Sequence, residues 1–277
     1  MAGMLYVVGT PIGNISDITL RALDVLGEVD FIAAEDTRVT LKLLNKYEIK
    51  KPLVSYHDHS SRSCAQSIID RIISGETCAV VTDAGMPCIS DPGEDLVKMC
   101  YDNNIPINVV PGPSATVSAL AISGLSTARF SFEGFLSVTR KQRIEHLTQA
   151  KNCPNTMIFY EAPHKLMTTL EDMLEYFGDR KISLCRELTK VYEEVIRTTI
   201  SGAIKYYENK SPKGEYVLVI EGMQPSDKPQ CTLEDAVKMA REMIEGGEKA
   251  VTACKLVASE TGYKKSEIYQ IINRDKE

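Results

Sequence analysis

The sequence predicts an α/β protein: a mostly parallel sheet in the first half, a second α/β domain after it, and a small C-terminal helical extension. Three observations carry this. Short apolar runs alternate with amphipathic segments through the first 125 residues, as parallel strands covered by helices require. The pattern changes around Thr127–Phe132, where Phe130–Leu136 reads as a strand of a second domain. A polar stretch, Pro225–Gln230, then separates helical periodicity over 233–273 from everything before it. The expected domains are 1–126, 127–224 and 225–277.

Leu5–Val8 is the first expected strand. Ile18, Ala22, Leu23 and Leu26 share one helical face, with Ser16 or Asp17 placed as its N-cap. Phe31–Ala34 is a strand, followed by polar Glu35-Asp36-Thr37-Arg38, a helix to about Lys46 and a strand at Leu53–Ser55. A helix over Arg62–Ser74 leads to a strand at Cys78–Thr82, a helix from about Pro92 to Asn103 and a strand at Ile107–Val110. Pro111-Gly112-Pro113-Ser114-Ala115 then opens a helix, with proline in its first turn. The second half reads as a helix over Lys141–Ala150, a strand at Thr156–Tyr160, a helix over His164–Phe177, and strands at Lys181–Arg186 and Gly214–Glu221. The last two C-terminal helices, divided near Gly262, have helix-turn-helix spacing.

At 277 residues the chain is long for one core, with 43% hydrophobic and 25% charged residues, near the globular average. No apolar run approaches the roughly 18 residues of a membrane span, and the first residues lack a basic, long apolar leader. A cytoplasmic location is the expectation. The eight cysteines include no C-x-x-C pair, so neither zinc nor a disulfide framework is expected, and several fall in apolar strands as small core residues. Of four histidines only His57 and His59 are close, and His57-Asp58-His59 reads as a polar loop or strand end. A net charge of −6 argues against a globally basic nucleic-acid surface, though not against a local basic cleft.

Strand ends carry the unusual residues. Asp83-Ala84-Gly85-Met86-Pro87-Cys88-Ile89-Ser90-Asp91-Pro92-Gly93 is too rich in glycine, proline and aspartate for an ordinary connection, and small ligands bind outside the carboxyl ends of parallel strands. Gly9-Thr10-Pro11-Ile12-Gly13-Asn14 and Pro111–Ala115 have the same character, and the three loops should share one sheet edge. None is G-x-G-x-x-G or a Walker A loop, so a nucleotide phosphate is a weak expectation. Phe159-Tyr160-Glu161-Ala162-Pro163-His164-Lys165 ends a strand of the second half and is placed to face these loops, although a cap or surface role for His164 is the commoner case. Arg186-Glu187-Leu188-Thr189-Lys190 with Glu193-Glu194 is charge-dense. Such runs are usually solvated, but Arg186 and Lys190 are also groups that hold phosphates.

Taken together in order, G-T-P-I-G-N, E-D-T-R, D-A-G-x-P-x-I-S-D-P-G, V-P-G-P-S-A, F-Y-E-A-P-H-K, R-E-L-T-K and K-G-E-Y resemble the tetrapyrrole-methylase superfamily, and within it the branch that methylates small-subunit ribosomal RNA. The resemblance runs from about Leu5 to Glu221, with Met86 and Lys165 where threonine and arginine are the usual residues. It implies a two-domain homodimer that holds S-adenosyl-L-methionine between its domains. It further implies methylation of the 2'-hydroxyl of a cytidine in the decoding region of 16S rRNA, on the RNA or the small ribosomal subunit.

By motif, the donor is expected at Pro11, Gly13, Asp83, Ala84, Gly85, Ile89, Ser90, Ser114 and Ala115, with Tyr160, Pro163 and Gly214 from the second domain. A ribose hydroxyl needs a proton acceptor, for which Glu35, Asp36, Glu161 and Glu187 are the candidates. Arg38, Lys165, Arg186 and Lys190 are expected at RNA phosphates, and Lys255, Lys264, Lys265 and Arg274 offer a further contact or simply a solvated face. Competing readings are methylation of a tetrapyrrole or other small molecule, a non-catalytic RNA-binding factor, and a nucleotide-binding α/β enzyme.

Overall fold

Apolar strands that must be buried on both faces need a helical layer on each side, and a computed structural model of the chain has that arrangement. It describes residues 3–58, 60–224 and 232–274; His59, the linker expected at Pro225–Gln230 and Cys231 lie outside them, as does the side chain of Arg274. The chain forms two compact units, Met1–Gly222 and Met223–Glu277.

In the first unit, β1 (Met4–Val8), β2 (Phe31–Ala34), β3 (Leu53–Ser55), β4 (Thr77–Val81) and β5 (Ile107–Val110) form a parallel sheet in the order β3-β2-β4-β1-β5. The helices between them are α1 (Leu20–Glu28), α2 (Thr37–Lys46), α3 (Arg62–Ile73) and α4 (Glu94–Asp102). Alternate residues serve opposite faces. Leu5, Val7, Phe31, Ala33, Cys78 and Val80 join the α3 and α4 side chains, whereas Val8, Ile32, Ala34, Ala79 and Val81 join those of α1 and α2. The first helix starts later than its apolar spacing suggested. Ser16 and Asp17 fall in a short 3-10 turn capped by Asn14, and Thr19 caps α1 by accepting from the Ala22 N–H at 3.1 Å.

The second sheet has the order β6-β7-β10-β8-β9, built from β6 (Phe130–Phe135), β7 (Thr156–Glu161), β8 (Lys181–Arg186), β9 (Glu194–Thr199) and β10 (Tyr216–Ile220). Only the β6–β7 pair is parallel. Strand β9 and the following helix α8 (Ile200–Tyr207) were absent from the sequence reading. In β9 the alternation is blurred because it is a half-buried edge strand with Glu194 and Arg197 inside it, and α8 carries Gly202, a poor helix former. One face of this sheet packs on α6 (Arg140–Ala150), α7 (Leu166–Phe177) and α8. The other receives α5 (Ala115–Ser123): Ala119 and Leu120 bury against Ile158, Cys185, Val217 and Val219. Thus α5 leaves the last strand of the first sheet and packs under the second.

The second unit is a three-helix cluster of α9 (Leu233–Glu245), α10 (Ala250–Thr261) and α11 (Lys265–Arg274). Ala236, Val237, Ala240, Cys254, Val257, Ile268 and Ile272 form its core. Thr232 and Asp235 make a capping box at the start of α9, and Gly262 ends α10 at φ +80°, a conformation that favours glycine. Lys255, Lys264 and Lys265 are exposed. No helix of the described residues is long and apolar enough to cross a membrane.

Candidate functional site

Adjacent strands β4, β1 and β5 set their following loops side by side, and glycine lets those loops touch. The Gly9 N–H donates to Val110 O at 3.1 Å, and Thr10 and Gly85 exchange backbone hydrogen bonds of 2.9 and 3.2 Å. A Cβ on Gly9 would lie 2.7 Å from the Gly112 Cα, so a side chain there would force these loops apart. The Cys88 N–H donates to Pro92 O at 3.2 Å, and this closure holds Cys88 at φ +72° and Ser90 at φ +60°. Such left-handed, non-glycine conformations cost on the order of 1–3 kcal/mol each and persist where surroundings impose them. The loop thereby displays Ile89, Ser90 and Asp91, and Ser90 Oγ reaches within 3.5 Å of where a Cβ of Gly134 would sit on β6.

The opposite wall is made by the ends of β7 and β8 and the start of β10, which antiparallel pairing brings to one edge through Tyr216↔Glu161 and Tyr216↔Arg186. Tyr160 stacks edge-on against Phe132 and Phe135, at 4.9 and 5.4 Å between centroids, and its hydroxyl lies 2.7 Å from Thr116 Oγ1. After β8 the backbone again enters the left-handed region, at Glu187 (φ +50°) and Thr189 (φ +66°). Lys190 Nζ donates to Glu187 Oε1 at 3.0 Å and to Glu215 Oε2 at 2.8 Å. Two glycines permit this. A Cβ on Gly13 would meet Lys190 Cγ at 2.5 Å, and one on Gly214 would meet Glu187 Cγ at 2.5 Å. The Asn14 N–H donates to Thr189 Oγ1 at 3.1 Å, tying the first wall to the second.

Between the walls lies a cleft of about 520 Å³, within the size range of small-molecule sites. Of the residues expected at a donor, Ala84, Gly85, Ile89, Ser90, Ser114, Ala115, Tyr160 and Pro163 line it. Pro11, Gly13, Asp83 and Gly214 are not in the lining; Gly13 and Gly214 stand behind Lys190 and Glu187. Phe135, Cys185, Leu188 and Val217 also line the cleft, and the sequence reading did not assign them. Cys185 and Val217 read only as strand core, but Phe135, whose ring also rests against Tyr160, is 54% exposed and Ile89 51%, an apolar display at the cleft.

The expected proton acceptors separate into two places. Glu161 and Glu187 line the cleft but are engaged. Glu161 is 2% exposed and accepts from the Ala162 N–H at 2.8 Å and from Thr169 Oγ1 at 2.5 Å, with Lys165 Nζ at 3.0 Å. Glu187 accepts from Lys190 and from the Glu215 N–H; although burial opposes ionisation, these donors hold its carboxyl below the usual range. Burial likewise works against the Lys190 charge, but Glu215 and Glu187 outweigh it and raise its basicity. Glu35 and Asp36 are not in the lining. They form a cluster with Asp83: the Asp36 N–H donates to Asp83 Oδ1 and the Asp83 N–H to Glu35 Oε2, both at 3.1 Å. Burial, then neighbouring carboxylates, raise the Glu35 and Asp83 pKa values. Arg38 donates to both carboxylate oxygens of Asp36 and holds its pKa at about 2.

The four expected phosphate contacts are placed unequally. Arg38 has an exposed side chain outside the cleft. Lys190 lines the cleft. Arg186 Nε lies 3.2 Å from Glu194 Oε2 without hydrogen-bond alignment, and its Nη2 donates to Tyr192 O at 3.3 Å. Lys165 departs from the expectation: it is turned inward, paired with Glu161 and donating to Leu136 O at 3.1 Å, because a buried carboxylate needs a cation beside it.

Comparison with known proteins places this geometry. The model of the tetrapyrrole (corrin/porphyrin) methylases matches residues 4–204. A ribosomal RNA small subunit methyltransferase I from Halalkalibacterium halodurans is 44% identical over 276 residues, 99% of this chain and 96% of that protein. The same-named protein of Thermotoga maritima is 47% identical over 222 residues, which are 80% of this chain and the whole of that protein. Among solved structures, the methyltransferase CobJ aligns with TM-score 0.60 at 17% identity, over 79% of this chain and 94% of that one. A uroporphyrin-III C-methyltransferase from Thermus thermophilus, complexed with S-adenosyl homocysteine, aligns at 0.57 and 16%, over 78% and 97%. At such identities these two structures speak for the fold alone.

Proposed function

Since the chain belongs to the tetrapyrrole methylase family, we propose that it is an S-adenosyl-L-methionine-dependent methyltransferase of small-subunit ribosomal RNA, acting on the 2'-hydroxyl of a cytidine in the decoding region of 16S rRNA. One observation carries the reading: relatives named for small-subunit ribosomal RNA methylation match 97–99% of this chain at 42–44% identity. The refinement to a ribose hydroxyl of a decoding-region cytidine rests on the motif resemblance.

The cleft suits the donor. Ile89, Ala115 and Tyr160 provide apolar surface for a flat base, glycine lets the backbone approach closely, and the carboxylates at the edge favour a cation. We assign donor contact to Ala84, Gly85, Ile89, Ser90, Ser114, Ala115, Tyr160 and Pro163, with Pro11, Gly13, Asp83 and Gly214 shaping the loops that carry them. When bound, the sulfonium donor supplies an electrophilic methyl carbon, so the chain's own work is alignment and exclusion of water. Lys190, Arg186 and Arg38 are assigned to RNA phosphates, and Lys165 to positioning Glu161. Val109 on the edge strand β5 and Val117 and Ile122 on α5 are exposed apolar side chains, and such exposure supports a homodimer. A cytoplasmic location follows from the proposed substrate.

The test is transfer from radiolabelled donor to small subunits lacking the modification, with the label mapped. An alkali-resistant labelled cytidine is expected. Donor binding without labelled RNA, where a control methyltransferase works, would replace this reading with a small-molecule substrate or a non-catalytic RNA-binding role.

A further inference from the structure

A neutral ribose hydroxyl is a weak nucleophile, and a positioned base raises its reactivity as the methyl is taken. The carboxylates lining the cleft are Asp91, Glu161, Glu187 and Glu215. Three have donors: Glu161 has the Ala162 N–H, Thr169 and Lys165, and Lys190 lies between Glu187 and Glu215. Asp91 has no hydrogen bond or ion pair among the described residues, and it is half-buried. It sits on the strained 88–92 turn, next to Ser90 at φ +60°, so its carboxylate is displayed by backbone that the fold constrains.

We propose that Asp91 is the proton acceptor for methyl transfer in this cleft, an inference that rests on the reading of the cleft as a ribose methyltransferase site. The ribose oxygen gains the methyl group and loses its proton to the Asp91 carboxylate, while the electron pair of the broken carbon–sulfur bond stays on sulfur. Charge balances, because the sulfonium cation and the carboxylate become a neutral thioether and a neutral acid. Asp91 then returns its proton to water.

The electrostatic surroundings fit the role. Burial first, then the charges of Glu35, Asp58 and Asp83, push the Asp91 carboxyl up to about 7, where a base is both available and strong enough to act. Asp58, Glu94, Asp95, Lys98 and His57 share with Asp91 a smaller neighbouring depression, and it lines the cleft together with Lys190, Glu187, Glu215, Glu161 and the exposed His164. His164, which lines the cleft as well, is the competing base.

Single-turnover methyl transfer at saturating donor and RNA tests the assignment across pH 5–9. The wild-type rate should fall towards acid pH, with the limb below the value of about 7 that Asp91 has without donor, because the bound sulfonium favours its carboxylate. Asp91→Asn should lose on the order of 10²-fold or more in rate together with that acidic limb. His164→Gln should keep the limb, whatever it does to the rate.

A second readout needs neither donor nor RNA. A carboxyl whose pKa is raised on folding contributes stability that is complete below its unfolded value of 3.8 and is lost as pH rises through about 7. Asp91→Asn should therefore melt higher than wild type at pH 8, with the gap closing towards pH 4. An Asp91→Asn protein that keeps the rate or the limb, a limb that moves with His164→Gln instead, or a melting gap that does not change with pH overturns the proposal. Wild-type protein that binds donor but labels no RNA removes the functional reading, and this role with it. Labelling by wild type and Asp91→Asn alike removes only the role of Asp91.

Discussion

At residue scale, the site is organised by what side chains leave out as much as by what they supply. Gly214 sits at φ +81°, and a Cβ there would come within 2.5–2.7 Å of the Glu187 side chain, which is itself locked to Lys190 and the Glu215 N–H. Gly214→Ala is therefore strained in its backbone and also displaces Glu187. A stability loss of about 1–3 kcal/mol by chemical denaturation is expected, together with weaker donor binding by calorimetry. A denaturation midpoint and a donor affinity both equal to wild type would refute this. Gly214 could be singled out from its motif, but its partner could not: nothing local says that position 187 lies over position 214. Lys165 illustrates the same limit. Its charge is visible in the sequence, whereas its pairing with buried Glu161 is a property of the folded β7–α7 junction.

At the scale of elements, the second half is pinned by a buried ion pair between two helices, away from the cleft. Arg143 on α6 donates from Nε to Asp172 Oδ2 on α7 at 2.6 Å, with both side chains 10% exposed, and its Nη1 reaches Ser137 O at 3.2 Å and Val138 O at 3.3 Å. Removing one partner leaves a buried charge without compensation. Asp172→Ala is expected to cost about 3–5 kcal/mol, and Asp172→Ala with Arg143→Met to recover much of it, measured by urea denaturation. Equal losses in the single and double variants would show that the pair is not coupled. Strands and helices of the first half were legible because both faces of that sheet are covered and its strands read as continuous apolar runs bounded by glycine, proline and acids. Strand β9 was not, because an edge strand is half-buried and its charges interrupt the alternation.

For the whole molecule, the boundary at Gly222 separates the unit that contains both sheets from the three-helix cluster. The Thermotoga maritima relative is matched over its whole length by 222 residues, 80% of this chain, which is the share that the first unit makes up. A chain ending after Gln224 should fold cooperatively in a thermal melt and retain donor binding by calorimetry, since each unit has its own core. Loss of cooperative melting in that truncation would show that the first unit depends on the second. Comparing RNA affinity of the two forms then isolates what the exposed Lys255, Lys264 and Lys265 add. If they touch phosphate, the full-length protein should have the steeper salt dependence.

The sequence by itself determined the class of fold, the positions of most strands and helices, and the loops that carry the site. These follow from local rules: apolar periodicity, capping and turn residues, and the crossover that parallel strands require. Only the tertiary structure decided which acids in those loops are engaged and which is left with its charge facing the cleft. Glu161 and Glu187 were as prominent in their motifs as Asp91, yet both are held by donors, while Asp91 meets burial and like charges. The physical reason is range. Strand and turn propensities act over a few residues, whereas the state of a carboxylate is set by whatever folding brings close to it, here Glu35 and Asp58 from far away along the chain together with Asp83 from the same loop.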